Sequence, residues 1–219
     1  MSPSFGRDLA VGFKSDHEKS TYKAQCILHS TFILCIRMQC KAALENVCLI
    51  LDLEGYFVQK KFYVRELGWT TWQGHFGAQH YQQPFRRKAL SQMDRLTAKY
   101  VYHRIHGLPF EDDPQEKARH LENLKRDVLE LYAQARTTER FLVGYKGGHV
   151  EKDLLQELDL PAINLEHYGC PKFEKLNTIS IIKDCGHHRF KKHCAMVESH
   201  AFWQWANMPN EDMDTELCL

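Results

Sequence analysis

The residues from Asp184 to Trp205, DCGHHRFKKHCAMVESHAFWQW, interleave two sets of reactive side chains. Cys185, His188 and Cys194 offer thiolate and neutral imidazole, donors that suit a tetrahedral zinc ion, and Cys185 and His188 stand in a C-x-x-H knuckle. Three such ligands leave a fourth to come from elsewhere in the chain. His193 and Glu198 run through the same stretch with a different chemistry: a general base, and a hard carboxylate ligand for Mg²⁺ or Mn²⁺. One segment therefore carries the makings of a structural metal site and of part of an active site. The plainer alternative is a cysteine-rich helix with exposed histidines.

A second pair of acids lies far upstream. Asp52 and Glu54 flank Leu53 at the end of the apolar run VCLILDL, Val47 to Leu53. On a strand, alternate side chains share a face, so both carboxylates point the same way. They repel one another unless a cation sits between them, and burial sharpens the repulsion. A divalent metal resolves it. In the competing reading one acid caps a turn at Gly55 and the other is solvated.

The elements that must position these groups follow from pattern. Val47 to Leu53 is short, apolar and branched, as in a strand buried on both faces of a sheet. Gly55 is expected to turn the chain into a second strand, Tyr56 to Leu67, giving a hairpin. Residues 70–85 read as a third strand and a long loop, ending in the basic tract Phe85 to Lys88, which reads as solvated. Leu121, Leu124, Val128, Leu131 and Ala135 recur at helical spacing between Pro114 and a Thr-Thr pair. A strand over Phe141 to Gly144, a helix from about Val150 to Leu158 and a strand over Ile163 to Leu165 come next. Strands alternating with helices after an initial meander imply an α/β fold, a mixed sheet with helices on both faces.

At 219 residues the chain suits one domain of ordinary size. The expected division is a leader over 1–45, polar and aperiodic at its start, a domain over 46–207 and a tail over 208–219. A net charge of +1 carries no global basic bias, so a nucleic-acid partner must be held by a local patch or through metal ions. Eight cysteines without the order of a signal peptide point to a reducing compartment, hence an intracellular protein, cytoplasmic or nuclear. Cys26, Cys35, Cys40 and Cys48 lie among apolar neighbours and read as buried free thiols; Cys218 reads as free. The apolar run from Cys26 to Ile36 falls well short of the ~20 residues that span a bilayer, so no membrane segment is expected.

These motifs, in this order, resemble the DEDDh exonucleases of the ribonuclease H-like class. Asp52-Leu-Glu54-Gly is similar to their first motif, and His193-Cys-Ala-Met-Val-Glu198 to their last, with a histidine five positions before an acid. The stretch from Val143 to Glu151 takes the place of the middle motif. The chain departs twice: the middle acid is Glu151 without a gap or Asp153 with two residues inserted, and the last acid is Glu198 rather than an aspartate. A narrower resemblance, covering roughly residues 46–205, is to the arenavirus nucleoprotein exonuclease domains and the Maelstrom domains, which add a Glu-Cys-His-Cys zinc site. There Glu66, in VRELG, would join Cys185, His188 and Cys194 as the fourth ligand; His187 could replace His188, and Cys170 could replace Glu66. The resemblance implies a metal-dependent 3′-to-5′ exonuclease on RNA or single-stranded DNA, with structural zinc and two catalytic Mg²⁺ or Mn²⁺ ions. It equally allows a catalytically inactive Maelstrom-like RNA-binding or protein-interaction module.

Overall fold

The computed structural model describes residues 42–111, 117–176, 182–189 and 193–208. The expected leader up to residue 41, the thiols Cys26, Cys35 and Cys40, and the tail from 209 with Cys218 lie outside the described residues. The chain divides between Ala43 and Leu44, and the sheet belongs to the unit beginning at Leu44.

Strand β1 (Val47–Val58) is an inner strand of the sheet. Its alternation sends Leu49, Leu51 and Leu53 to one side, against Val128 and Ala135 of α2 (Leu124–Ala135) and Leu155 of α3 (His149–Glu157). Ile50 points to the other side, into a core with Phe173 and Leu176 of α4 (Phe173–Leu176) and Ala201, Phe202 and Trp205 of α5 (Ala195–Ala206). Each such side chain contributes about 1.5–3 kcal/mol on burial, so the two cores together fix which face of β1 carries its acids. That face is the one under α5.

Among the described residues six strands make one mixed sheet: β1 and β2 (Lys61–Thr71), β3 (Phe76–Gln82), β4 (Arg119–His120), β5 (Leu142–Tyr145) and β6 (Ala162–Asn164), in the order β4-β3-β2-β1-β5-β6. The first three pair antiparallel and the remaining ladders are parallel. With the two-residue β4 set aside, the order is 3-2-1-4-5 counted along the chain, consistent with a ribonuclease H-like fold. The expected α/β class and the helices on both faces are as found. Among the described residues, no helix is long and apolar enough to cross a membrane.

One local expectation is corrected, and two features carried none. The hairpin does not turn at Gly55: β1 continues to Val58, and the chain reverses at Gln59 and Lys60, with φ of +50° and +67°. Neither residue is a usual choice for a turn of that hand, so the signal was absent. Gly55 instead marks a break in strand register, where a Cβ would sit 2.2 Å from the Tyr63 carbonyl oxygen. A helix α1 (Gln92–Arg104) follows the basic tract where none was expected. Its apolar residues Met93, Leu96 and Tyr100 face outward and only Ala98 is buried, so the usual amphipathic pattern is missing. Finally, in the reactive stretch α5 begins at Ala195, and residues 184–189 are irregular.

Candidate functional site

Antiparallel pairing puts Asp52 opposite Gly68 and Glu54 opposite Glu66, and the next ladder puts Glu66 opposite His80. Four chemically active side chains therefore share one patch of sheet. The N-terminus of α5 lies directly on that patch. It can do so because position 68 has no side chain: a Cβ there would come within 2.0 Å of the Ala195 backbone. Gly68 is the seat of the helix that carries Cys194 and Glu198.

Glu66 is fully buried and anchors the helix from below. Cys194 is the N-cap of α5 but makes no side-chain cap, so the first turn has an open amide. The Ala195 N–H donates to Glu66 Oε2 at 3.1 Å, a carboxylate placed where the helix dipole favours negative charge. The same oxygen lies 2.9 Å from His188 Nε2, and Glu66 Oε1 accepts from the Cys194 thiol at 3.6 Å. His188 Nδ1 donates to the His106 carbonyl, which fixes the tautomer and leaves Nε2 facing the centre. The carbonyl is itself held. His106 Nε2 bonds the Gly55 carbonyl at 3.0 Å, and Arg65 Nε donates to the Pro109 carbonyl at 3.0 Å.

Glu66, Cys185, His188 and Cys194 bring one ligand atom each to within 4.8 Å of one another. Tetrahedral zinc with bonds of 2.0–2.3 Å needs its ligand atoms roughly 3.3–3.8 Å apart, so a small contraction completes the site. The electrostatics favour a cation there. Burial opposes charge on Glu66, yet hydrogen bonds from His188 and His80 outweigh it and hold the carboxyl well below its usual range. Burial likewise opposes the His188 imidazolium, but Cys194 and Glu66 push it up to about 11. Cys194, receiving a hydrogen bond from Cys185, is lowered to about 6. Cys185, which donates in that pair and is buried besides, is raised. A carboxylate, a readily ionised thiol and a fixed imidazole surround one position. The group could hold zinc.

One turn further along α5, Glu198 reaches the second cluster. His193 Nδ1 and Glu198 Oε1 are 2.6 Å apart, and Glu54 joins these two as a possible ligand group. Asp52 is buried and its carboxyl is raised well above the ordinary value, first by burial and then by Glu198, Glu151, Glu54 and Glu66 in turn. Glu54 is raised well above its own by burial, Glu198 and Glu66. Glu151 enters from the first turn of α3, where backbone amides of Glu151 and Leu53 hydrogen-bond it; burial still lifts it to about 7. Glu198 is raised by burial against the pull of His193. The charged neighbours that act most on Asp52 have its own sign. Such a cluster is suited to hard divalent cations.

No family model and no curated protein sequence matches this chain. The reading of both clusters therefore rests on their geometry.

The residues singled out in the sequence divide cleanly. Glu54, Glu198 and His193 bring ligand atoms together, and Asp52 and Glu151 interact with Glu198 electrostatically; Asp153 is exposed and lines a separate groove of about 680 Å³ with Lys60, Lys61 and His149. Period explains it: two residues on in a helix is the far side. Cys170 sits in the apolar core with its thiol on the Pro171 carbonyl, apart from the four zinc-type ligands. His187 is exposed and turned toward His80 rather than Glu66. Sequence reasoning missed His80 and His106. His80 was findable, since a hairpin register that places Glu66 inward places its cross-strand partner inward too; the carbonyl of His106 left no sequence signal.

Proposed function

We propose that this protein is a metal-dependent nuclease, a 3′-to-5′ exonuclease acting on RNA or single-stranded DNA, with a structural zinc at Glu66, Cys185, His188 and Cys194. The observation that carries the reading is the grouping of half-buried Glu54 with buried Glu198 and His193, ligand atoms within 4.8 Å of one another, beside two more buried carboxylates, Asp52 and Glu151, that interact electrostatically with Glu198. Two Mg²⁺ or Mn²⁺ ions held by these acids would supply Lewis-acid stabilisation of the attacking and departing oxygens of a phosphodiester.

The chain's own groups do the rest. His193 donates its Nδ1 proton to Glu198, which orients the ring and leaves the lone pair on Nε2 to take a proton from water. Glu66 fixes the start of α5 and thereby the register of both His193 and Glu198. Glutamates at 151 and 198 stand one methylene further from their backbones than aspartates would, and both act electrostatically on Asp52. The same extra length favours the second reading, a module that keeps the zinc and binds RNA or protein without cutting.

The experiment is degradation of 5′-end-labelled RNA and DNA by metal-stripped protein resupplied with Mg²⁺ or Mn²⁺. Wild type should shorten single strands stepwise from the 3′ end, and Asp52→Asn should not. Inertness of the wild type on single-stranded and duplex substrates with either ion rejects the enzyme and leaves the module.

A further inference from the structure

Cys185 faces two ways. Besides the group at Glu66, its sulfur forms a second constellation with His80 and His187, again with one ligand atom each within 4.8 Å of the others. His80 Nε2 lies 3.5 Å from the Cys185 sulfur, and the His80 and His187 rings meet edge to face with centroids 4.1 Å apart. We propose that His80, Cys185 and His187 form a second zinc position, joined to the first through the Cys185 sulfur as a bridging ligand. This rests on the zinc reading of the first position.

Three observations carry it. The sheet holds His80 in place, because its partner in the β2–β3 ladder is Glu66 itself. His187 Nδ1 lies 3.0 Å from the Cys185 carbonyl oxygen, so that nitrogen bears the proton and Nε2 keeps the lone pair a metal needs. Charge gives the third. Zinc on a carboxylate, two thiolates and a neutral imidazole leaves the first position with a net charge of about −1, which a second cation on the shared sulfur opposes. A thiolate has lone pairs for two metals. The two positions differ in access: Glu66 is fully buried, whereas His187 is exposed, so the second position keeps a coordination site open to water. The chemical class is a borderline-soft divalent ion with imidazole and thiolate ligands, a different set from the carboxylate cluster.

Cobalt tests this, because sulfur-to-cobalt charge-transfer absorption reads only thiolate-bound metal and ignores ions on the carboxylates. The full chain, stripped and titrated with Co²⁺, should develop the band in two equivalents, the second removed first by a competing chelator. His187→Ala, a change at an exposed residue, should leave one equivalent with unchanged melting of the singly loaded protein, and His80→Gln should also leave one equivalent. One thiolate-bound equivalent in the wild type overturns the second position and keeps the first. None overturns both. Two equivalents that survive in His187→Ala also overturn it, since the second ion would then be held elsewhere.

Discussion

Glu66 and Asp52 are buried carboxylates on one face of one hairpin, close enough that Glu66 acts on the ionisation of Asp52, and yet their chemistry diverges. Around Glu66 the protein supplies donors: two histidines, the Cys194 thiol and the first amide of α5. Around Asp52 it supplies more acids. The first carboxylate is compensated by the fold and the second is left to be compensated from outside. A buried charge with partners holds structure together, and buried like charges without them mark a place where the fold has left work for a ligand.

Removing the compensated carboxylate should have the largest effect. Glu66→Ala leaves the His188 imidazolium and the Ala195 amide without their acceptor, and breaking a buried pair of this kind costs about 3–5 kcal/mol. Chemical denaturation should show that loss, together with loss of bound zinc. An unchanged midpoint would mean that the two clusters do not differ as described.

Gly68→Ala tests the shared seat beneath both clusters. A methyl group 2.0 Å from the Ala195 backbone must lift α5 from β2, with an overpacking cost of about 1–3 kcal/mol. Zinc affinity and nuclease activity should fall together, because one helix start positions both. Loss of either one alone, measured on the same sample, would uncouple the regions.

Zinc-loaded protein free of Mg²⁺ should lose stability as pH rises. Glu151 is raised in the folded state from 4.5 to about 7, so its protonated form favours folding below about 4.5 and that contribution disappears as pH climbs through 7. Asp52, Glu54 and Glu198, all raised, act in the same direction. The melting temperature should drop across this window, by about 2–4 °C for each kcal/mol lost, and saturating Mg²⁺ should flatten the profile. A profile indifferent to Mg²⁺ would show that the acids do not share a cation.

The smallest effect belongs to Asp153→Ala, an exposed change that should stay within about ±0.5 kcal/mol and leave activity intact. Sequence left Glu151 and Asp153 as alternatives because each depends on whether a gap is allowed between motifs; helical period and burial separate them. The strand bearing Asp52 and Glu54 was legible because a short run of branched apolar residues marks a strand buried on both faces. The turn at Gln59 and Lys60 and the outward-facing α1 were not, since neither used the residues that usually signal such features. His106 was illegible for a deeper reason. It acts on His188 through a backbone carbonyl, which every residue has.

The most direct measurement is Mn²⁺ binding to zinc-loaded protein, followed by the paramagnetic resonance of free Mn²⁺, with zinc counted on the same samples. The acids should take up two equivalents in the wild type, and Asp52→Asn should abolish the uptake while its zinc content stays unchanged. Failure of the wild type to bind Mn²⁺ at millimolar concentration, or loss of zinc from Asp52→Asn, would contradict the division of this site into a centre completed by the fold and a cluster completed by cations.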